Sequence, residues 1–169
     1  VGSADGTMYN GSCLDFDGSN DYVANTSFTD HQSSSGTIVA WAKADTLGGY
    51  VFGVGGTTTG GSNRVFRIYN NRWSVVTYAN DYNNYADAIS TGQWYHIACV
   101  WSGTSLTAYT DGVGYSTTVA GMVTPTGTNV VAGSATWSLP ASCFNGQVAD
   151  ARVYNVALSA ANIKELYDD

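Results

Sequence analysis

Two neighbouring stretches decide the fold class: Gln93-Trp94-Tyr95-His96-Ile97-Ala98-Cys99-Val100-Trp101, then Leu106-Thr107-Ala108-Tyr109-Thr110-Asp111-Gly112. The first is rich in aromatic and apolar residues and reads as the strongest strand of the chain. The second ends in Asp-Gly, a turn pair, and Tyr115–Val119 continues the hairpin. Cys99 sits inside the apolar run Ile97–Trp101 and reads as a buried thiol. His96 and Cys99 stand three residues apart, so on a strand they face opposite ways and cannot form a catalytic dyad.

The same signals recur on both sides. Cys13–Phe16 runs into the turn Asp17-Gly18-Ser19-Asn20, and Tyr22–Ala24 follows. Thr37–Ala44 alternates through Ile38, Val39 and Trp41, and Gly48-Gly49 leads into Tyr50–Val54. Gly55–Asn63 reads as a loop. Arg64–Tyr69 and Trp73–Ala79 flank Asn70-Asn71-Arg72, which predicts a hairpin. Asn80–Ala88 reads as a loop or irregular edge, and Asn129–Ala132 and Phe144–Tyr154 as the last strands. One helix is expected. Ser159 caps Ala160–Tyr167, with Leu158 and Ile163 as a hydrophobic staple, and the helix should cover an end or edge of the sheets. Many short strands without repeating helices predict an all-β sandwich or barrel, in a single domain over residues 1–169.

Composition agrees and excludes several functions. The chain has 20 Gly, 12 Tyr and 5 Trp, and Glu165 is its sole glutamate, which rules out a mainly helical protein. A net charge of −7 argues against nucleic acid and anionic membrane surfaces. No apolar stretch approaches the roughly 20 residues needed to insert across a bilayer. The chain begins at Val1 with no signal-like segment and reads as a mature or excised domain of a larger protein. The three cysteines show no CxxC spacing, against a zinc site. Cys13 and Cys143 would form a disulfide if the terminal strands are neighbours, implying an oxidising compartment.

Four ordered segments resemble the laminin-G-like, concanavalin-A-like jelly-roll family: Leu14–Val23, Gly36–Trp41, Gln93–Ala98 with Leu106–Gly112, and Phe144–Asn155 with Ala157-Leu158-Ser159 and the helix. The resemblance implies two antiparallel sheets of about six or seven strands each, face to face. It also implies calcium binding, which is common in such domains. Asp17 with Asn20 or Asp21, joined by Asp150 if the terminal strands are adjacent, would be a structural calcium site. A second group would centre on Asp81 and Asp87. The resemblance is weak on function, because this fold hosts lectins, adhesion modules, hydrolases and lyases.

The residues themselves point away from catalysis. Retaining glycosidases of this group carry a strand motif E-x-D-x-x-E, with carboxyl groups about 5 Å apart. Here the one glutamate is on the terminal helix. His96, Tyr95 and Arg67 are the residue types a polysaccharide lyase would need, without the motifs of one. Binding is better supplied. Arg72, Trp73, Tyr78, Asp81, Tyr82, Asn84 and Tyr85 crowd one stretch, and Trp137 sits in another loop. Aromatic rings stack on sugars, and amide and acid groups bond their hydroxyls. The leading expectation is a non-catalytic carbohydrate-binding, lectin-like module of a secreted or surface protein, with a glycan or polysaccharide as partner. The alternative is a structural or adhesion domain of a cell-surface, viral or phage protein, binding protein partners or itself. Two sequons, Asn10-Gly11-Ser12 and Asn25-Thr26-Ser27, are also present.

Overall fold

Alternating side chains make each strand two-faced, and two such sheets can bury their apolar faces together. A computed structural model describes residues 12–56, 62–77, 81–83 and 85–169. Within them run β1 (Leu14–Asp17), β2 (Val23–Asn25), β3 (Ser35–Ala44), β4 (Tyr50–Gly55), β5 (Arg64–Tyr69), β6 (Arg72–Val76), β7 (Trp94–Ser102), β8 (Ser105–Thr110), β9 (Val113–Thr118), β10 (Asn129–Ala132), β11 (Asn145–Tyr154) and α1 (Ala160–Asp168). They form a six-stranded sheet, β1-β11-β3-β7-β8-β9, and a five-stranded sheet, β2-β10-β4-β5-β6. Their strands pair antiparallel, giving a jelly-roll sandwich. Among the described residues the second sheet has five strands, against the six or seven that the resemblance implies. Residues 81–83 add one bridge, Tyr82 to Val75, and no strand.

The core lies between the sheets. β3 contributes Ile38, Ala40, Ala42 and Ala44, and β7 contributes Ile97, Cys99 and Trp101. Phe52, Val54, Phe66, Ile68, Trp73 and Val75 face them from the other sheet. The small residues along β3 leave room for the large rings opposite. Gly36 is required for that reason, since a Cβ there would stand 2.2 Å from the Trp101 ring. The β5–β6 hairpin is tighter than its sequence suggests. Asn70 and Asn71, both at positive φ (50° and 58°), make the turn, and Arg72 already belongs to β6.

Ser159 caps α1 through a reciprocal pair with Asn162. Ile163 is fully buried, and Leu158 packs into the same cluster. The helix does not cover an end or edge. It lies on the outer face of the six-stranded sheet, with Ile163 against Val39, Ala98 and Tyr109, and Tyr167 against Trp41, Trp94 and Ala149. The outward side chains of β3, β7 and β8 are themselves apolar there, so an uncovered face would leave them in water.

The terminal strands are neighbours, as β1 pairs with β11, yet the register parts the two cysteines. Leu14 faces Val148 and Asp17 faces Asn145. Continuing this register sets Cys13 level with Ala149 on β11, whereas Cys143 precedes β11 and bridges to Tyr50 of the other sheet. A disulfide needs Cα atoms within about 7 Å. Cys13, Cys99 and Cys143 are all free thiols, and the expected Cys13–Cys143 bridge is not formed.

Candidate functional site

Strand alternation sorts β5 into two faces. Phe66 and Ile68 enter the core, so Arg67 and Tyr69 project outward. Arg67 pairs across the sheet with Tyr50 on β4 and Ser74 on β6. Its guanidinium gathers a cluster. Nη2 donates to Asp81 Oδ2 at 3.1 Å and to Asn83 Oδ1 at 2.9 Å, and Nη1 donates to the Tyr50 hydroxyl at 3.4 Å. The Tyr69 ring lies 4.8 Å from the guanidinium carbon and is 46% exposed.

Two loops complete the cluster. Tyr82 bridges to Val75 and turns inward, so its neighbours Asp81 and Asn83 turn outward toward Arg67. The Asp81 carboxylate also accepts from Thr77 N at 3.1 Å, which fixes the loop beside β6. From the other side, the segment after β10 bonds back along β4. Gly133 N donates to Val51 O and Tyr50 N donates to Ser142 O, both at 2.9 Å. This brings the half-buried Trp137 edge-on to Tyr50, with ring centroids 5.0 Å apart. The result is an outward patch of three aromatic rings, an amide, and a guanidinium held by a carboxylate.

The expected binding residues divide. Asp81 and Trp137 belong to the patch. Trp73 is fully buried and Tyr85 is 5% exposed, and both are core residues. Their strand and loop positions face inward, where large rings fill the space between the sheets. Tyr82 stacks on Tyr85 at 5.5 Å against the core, and burial raises its phenol above the usual range. Arg72 stands opposite Tyr69 at the rim, with Nη1 donating to Ala86 O at 2.5 Å. Tyr78 and Asn84 lie outside the described residues. Asn83, one of the amide residues in the expected stretch Asn70–Tyr85, also belongs to the patch, whereas Tyr50 and Tyr69 were not among the expected residues. The period-two pattern of β5 would have exposed Tyr69 beside Arg67; Tyr50 needed the cross-strand register.

The proposed calcium ligands are not assembled. Asp17 Oδ1 accepts from Ser19 N at 2.7 Å, and Asp21 Oδ2 accepts from Asp17 N at 3.3 Å, so these groups cap their own turn. Asp150 lies five residues along β11 from Asn145, the partner of Asp17, which is about 17 Å away. A bulge there sets Asp150 at φ 47°, and its two oxygens receive Arg152 at 2.7 and 2.6 Å. The set Asp17, Asn20, Asp21 and Asp150 therefore does not fit a calcium ion. Among the described residues no group of three His, Cys, Asp or Glu could hold a metal. Asp150→Asn is expected to leave the difference between the melting temperatures in calcium and in EDTA unchanged; a calcium-dependent rise that the variant lost would restore Asp150 as a ligand.

The lyase-type residues are also dispersed. His96 lies beneath α1 against Trp41 and Tyr167, Tyr95 packs in the core, and Arg67 is on the other sheet. Cys99 is in the core, on the face opposite His96, and burial pushes its thiol up to about 12.

A laminin-G-type family model, described as the concanavalin A-like lectin/glucanases superfamily, matches residues 17–164. Among solved structures, a heptameric SAP-like pentraxin from Limulus polyphemus is similar at TM-score 0.65 and 19% identity, over 80% of this chain and 70% of that one. A sialidase of Trypanosoma rangeli, in complex with the inhibitor DANA, gives TM-score 0.71 at 16% identity. That match covers 92% of this chain but 27% of the sialidase. A Bacteroides ovatus protein described as a candidate carbohydrate binder gives TM-score 0.62 at 18% identity, over 78% of this chain and 40% of that one. No curated protein sequence matches.

Proposed function

Because the chain belongs to the concanavalin A-like lectin/glucanases superfamily, we propose that it is a non-catalytic carbohydrate-binding module, with its glycan site at the Arg67-centred patch on the five-stranded sheet. One observation carries this reading: Tyr69, Tyr50 and Trp137 stand around hydrogen-bonding groups already fixed in place by Arg67. Tyrosine and tryptophan offer large, stiff contact surfaces at low entropic cost, so a preset aromatic rim suits a ligand bound by stacking. Asn83 gives its carbonyl oxygen to Arg67, and its NH2 group can donate to a sugar hydroxyl.

The absence of catalysis is part of the proposal. Hydrolysis by this class of fold needs two carboxyl groups on either side of the scissile bond, one of them protonated. In the patch Asp81 stands alone, paired to Arg67. Glu165 is exposed on α1, on the other sheet's outer face. The module would be part of a larger secreted or surface protein. The support for a larger parent is that the chain spans 27% of the sialidase and 40% of the Bacteroides chain.

Affinity electrophoresis through polysaccharide gels tests the site. Tyr69→Ala and Trp137→Ala are each expected to weaken retention about tenfold while leaving the melting temperature unchanged. Unaltered retention in both variants would place binding elsewhere.

A further inference from the structure

Resting on the glycan-binding reading, we infer that the patch takes a neutral glycan and has no receptor for a uronate, sialate or sulfate. The inference comes from the fate of the cations. The chain has six Lys and Arg in total, and all six lie among the described residues. Each is already engaged. Arg67 is held by Asp81, Asn83 and Tyr50. Arg64 is fully buried, donating to the carbonyls of Asn63 at 2.7 Å and Val123 at 2.9 Å. Arg72 donates to Ala86 O. Arg152 is bidentate on Asp150, and Lys164 pairs with Asp168. Lys43 lies over the Trp94 ring at 5.4 Å, on the six-stranded sheet.

An anionic sugar is recognised by paired guanidinium donors or a free ammonium, and the pairing must replace the water that the anion gives up. Arg67, the guanidinium at the centre of the patch, already has its anion at 3.1 Å, and Arg72 at the rim is turned to the Ala86 carbonyl. A carboxylate arriving there would meet Asp81 as a like charge. The surrounding protein, at net −7, adds to the repulsion at low salt. A neutral pyranose meets no such cost. It needs an aromatic face and hydroxyl partners, which Tyr69, Trp137 and Asn83 provide.

The test uses matched gels at low and high sodium chloride: galactomannan, xyloglucan and mixed-linkage glucan as neutral polymers, polygalacturonate, alginate and heparin as acidic ones. Retention is expected on at least one neutral gel, changing less than about twofold with salt, because no counterions are released. The acidic gels should give none. Salt-sensitive retention on an acidic gel alone would overturn the inference while leaving glycan binding intact. Silence on both classes would overturn the glycan-binding reading itself. Asp81→Asn uncovers the Arg67 charge and should add salt-sensitive retention on polygalacturonate. A variant that folds as the parent does and gains none would overturn the claim that Asp81 is what masks the site.

Discussion

Trp73→Ala is expected to destabilise the fold by about 3–5 kcal/mol, as truncation of large buried rings does. The indole is fully buried between the sheets, edge-on to Tyr95 at 5.9 Å. The Trp73 backbone is held by its ladder to β5, opposite Ile68, and by its carbonyl accepting from Tyr85 N at 3.4 Å. The lost contacts therefore remain a cavity. Urea unfolding followed by circular dichroism measures the cost. The comparison with Tyr69→Ala decides the location of the site. Tyr69 is four residues away in sequence and on the opposite face, so its removal should weaken retention and leave stability alone. If Trp73→Ala kept the parent's stability and lost retention instead, the binding surface would have to be moved to the stretch that composition alone suggests.

Lowering the pH from about 6.5 to about 4 is expected to remove up to about 3 kcal/mol of stability through His96 alone. The imidazole is 1% exposed, and neither ring nitrogen has a hydrogen-bond partner. Burial under Trp41 and Tyr167 drives its pKa down to about 4, with Asp150 opposing and Arg152 assisting. The unfolded chain binds the proton near 6.5 and the folded chain does not, so the contribution is complete above 6.5 and is lost as pH falls toward 4. His31, whose pKa burial also lowers, acts in the same direction. Asp111, raised by burial, acts in the opposite one. His96→Leu separates these, since it removes the titrating group and keeps the packing. Denaturant midpoints at pH 7 and 4.5 should converge in the variant far more than in the parent. Parallel losses in both proteins would show that the imidazole is not the source.

The strands and the helix were legible because their signals are local. Alternation in Thr37–Ala44, the apolar run Ile97–Trp101, the turn at Asp111-Gly112 and the cap at Ser159 each act within a few residues. Where an element lands is not local. The helix was expected at an end or edge and covers a face, because its docking depends on Val39, Ala98 and Tyr109 from three separate strands. Register likewise sets Cys13 level with Ala149, while Cys143 lies against Tyr50 of the other sheet.

The binding surface shows the same division. Composition identified an aromatic, amide-rich stretch but could not say which rings face out, since Trp73 and Tyr85 have the same chemistry as Tyr69. By itself the sequence determined an all-β chain with one capped helix and few charges. Tertiary structure alone decided that Tyr50, Arg67, Tyr69, Asp81, Asn83 and Trp137, spread over 88 positions, form one patch. The physical reason is that strand pairing fixes each side chain's face and neighbours through partners far away in the chain, and no window of sequence contains those partners.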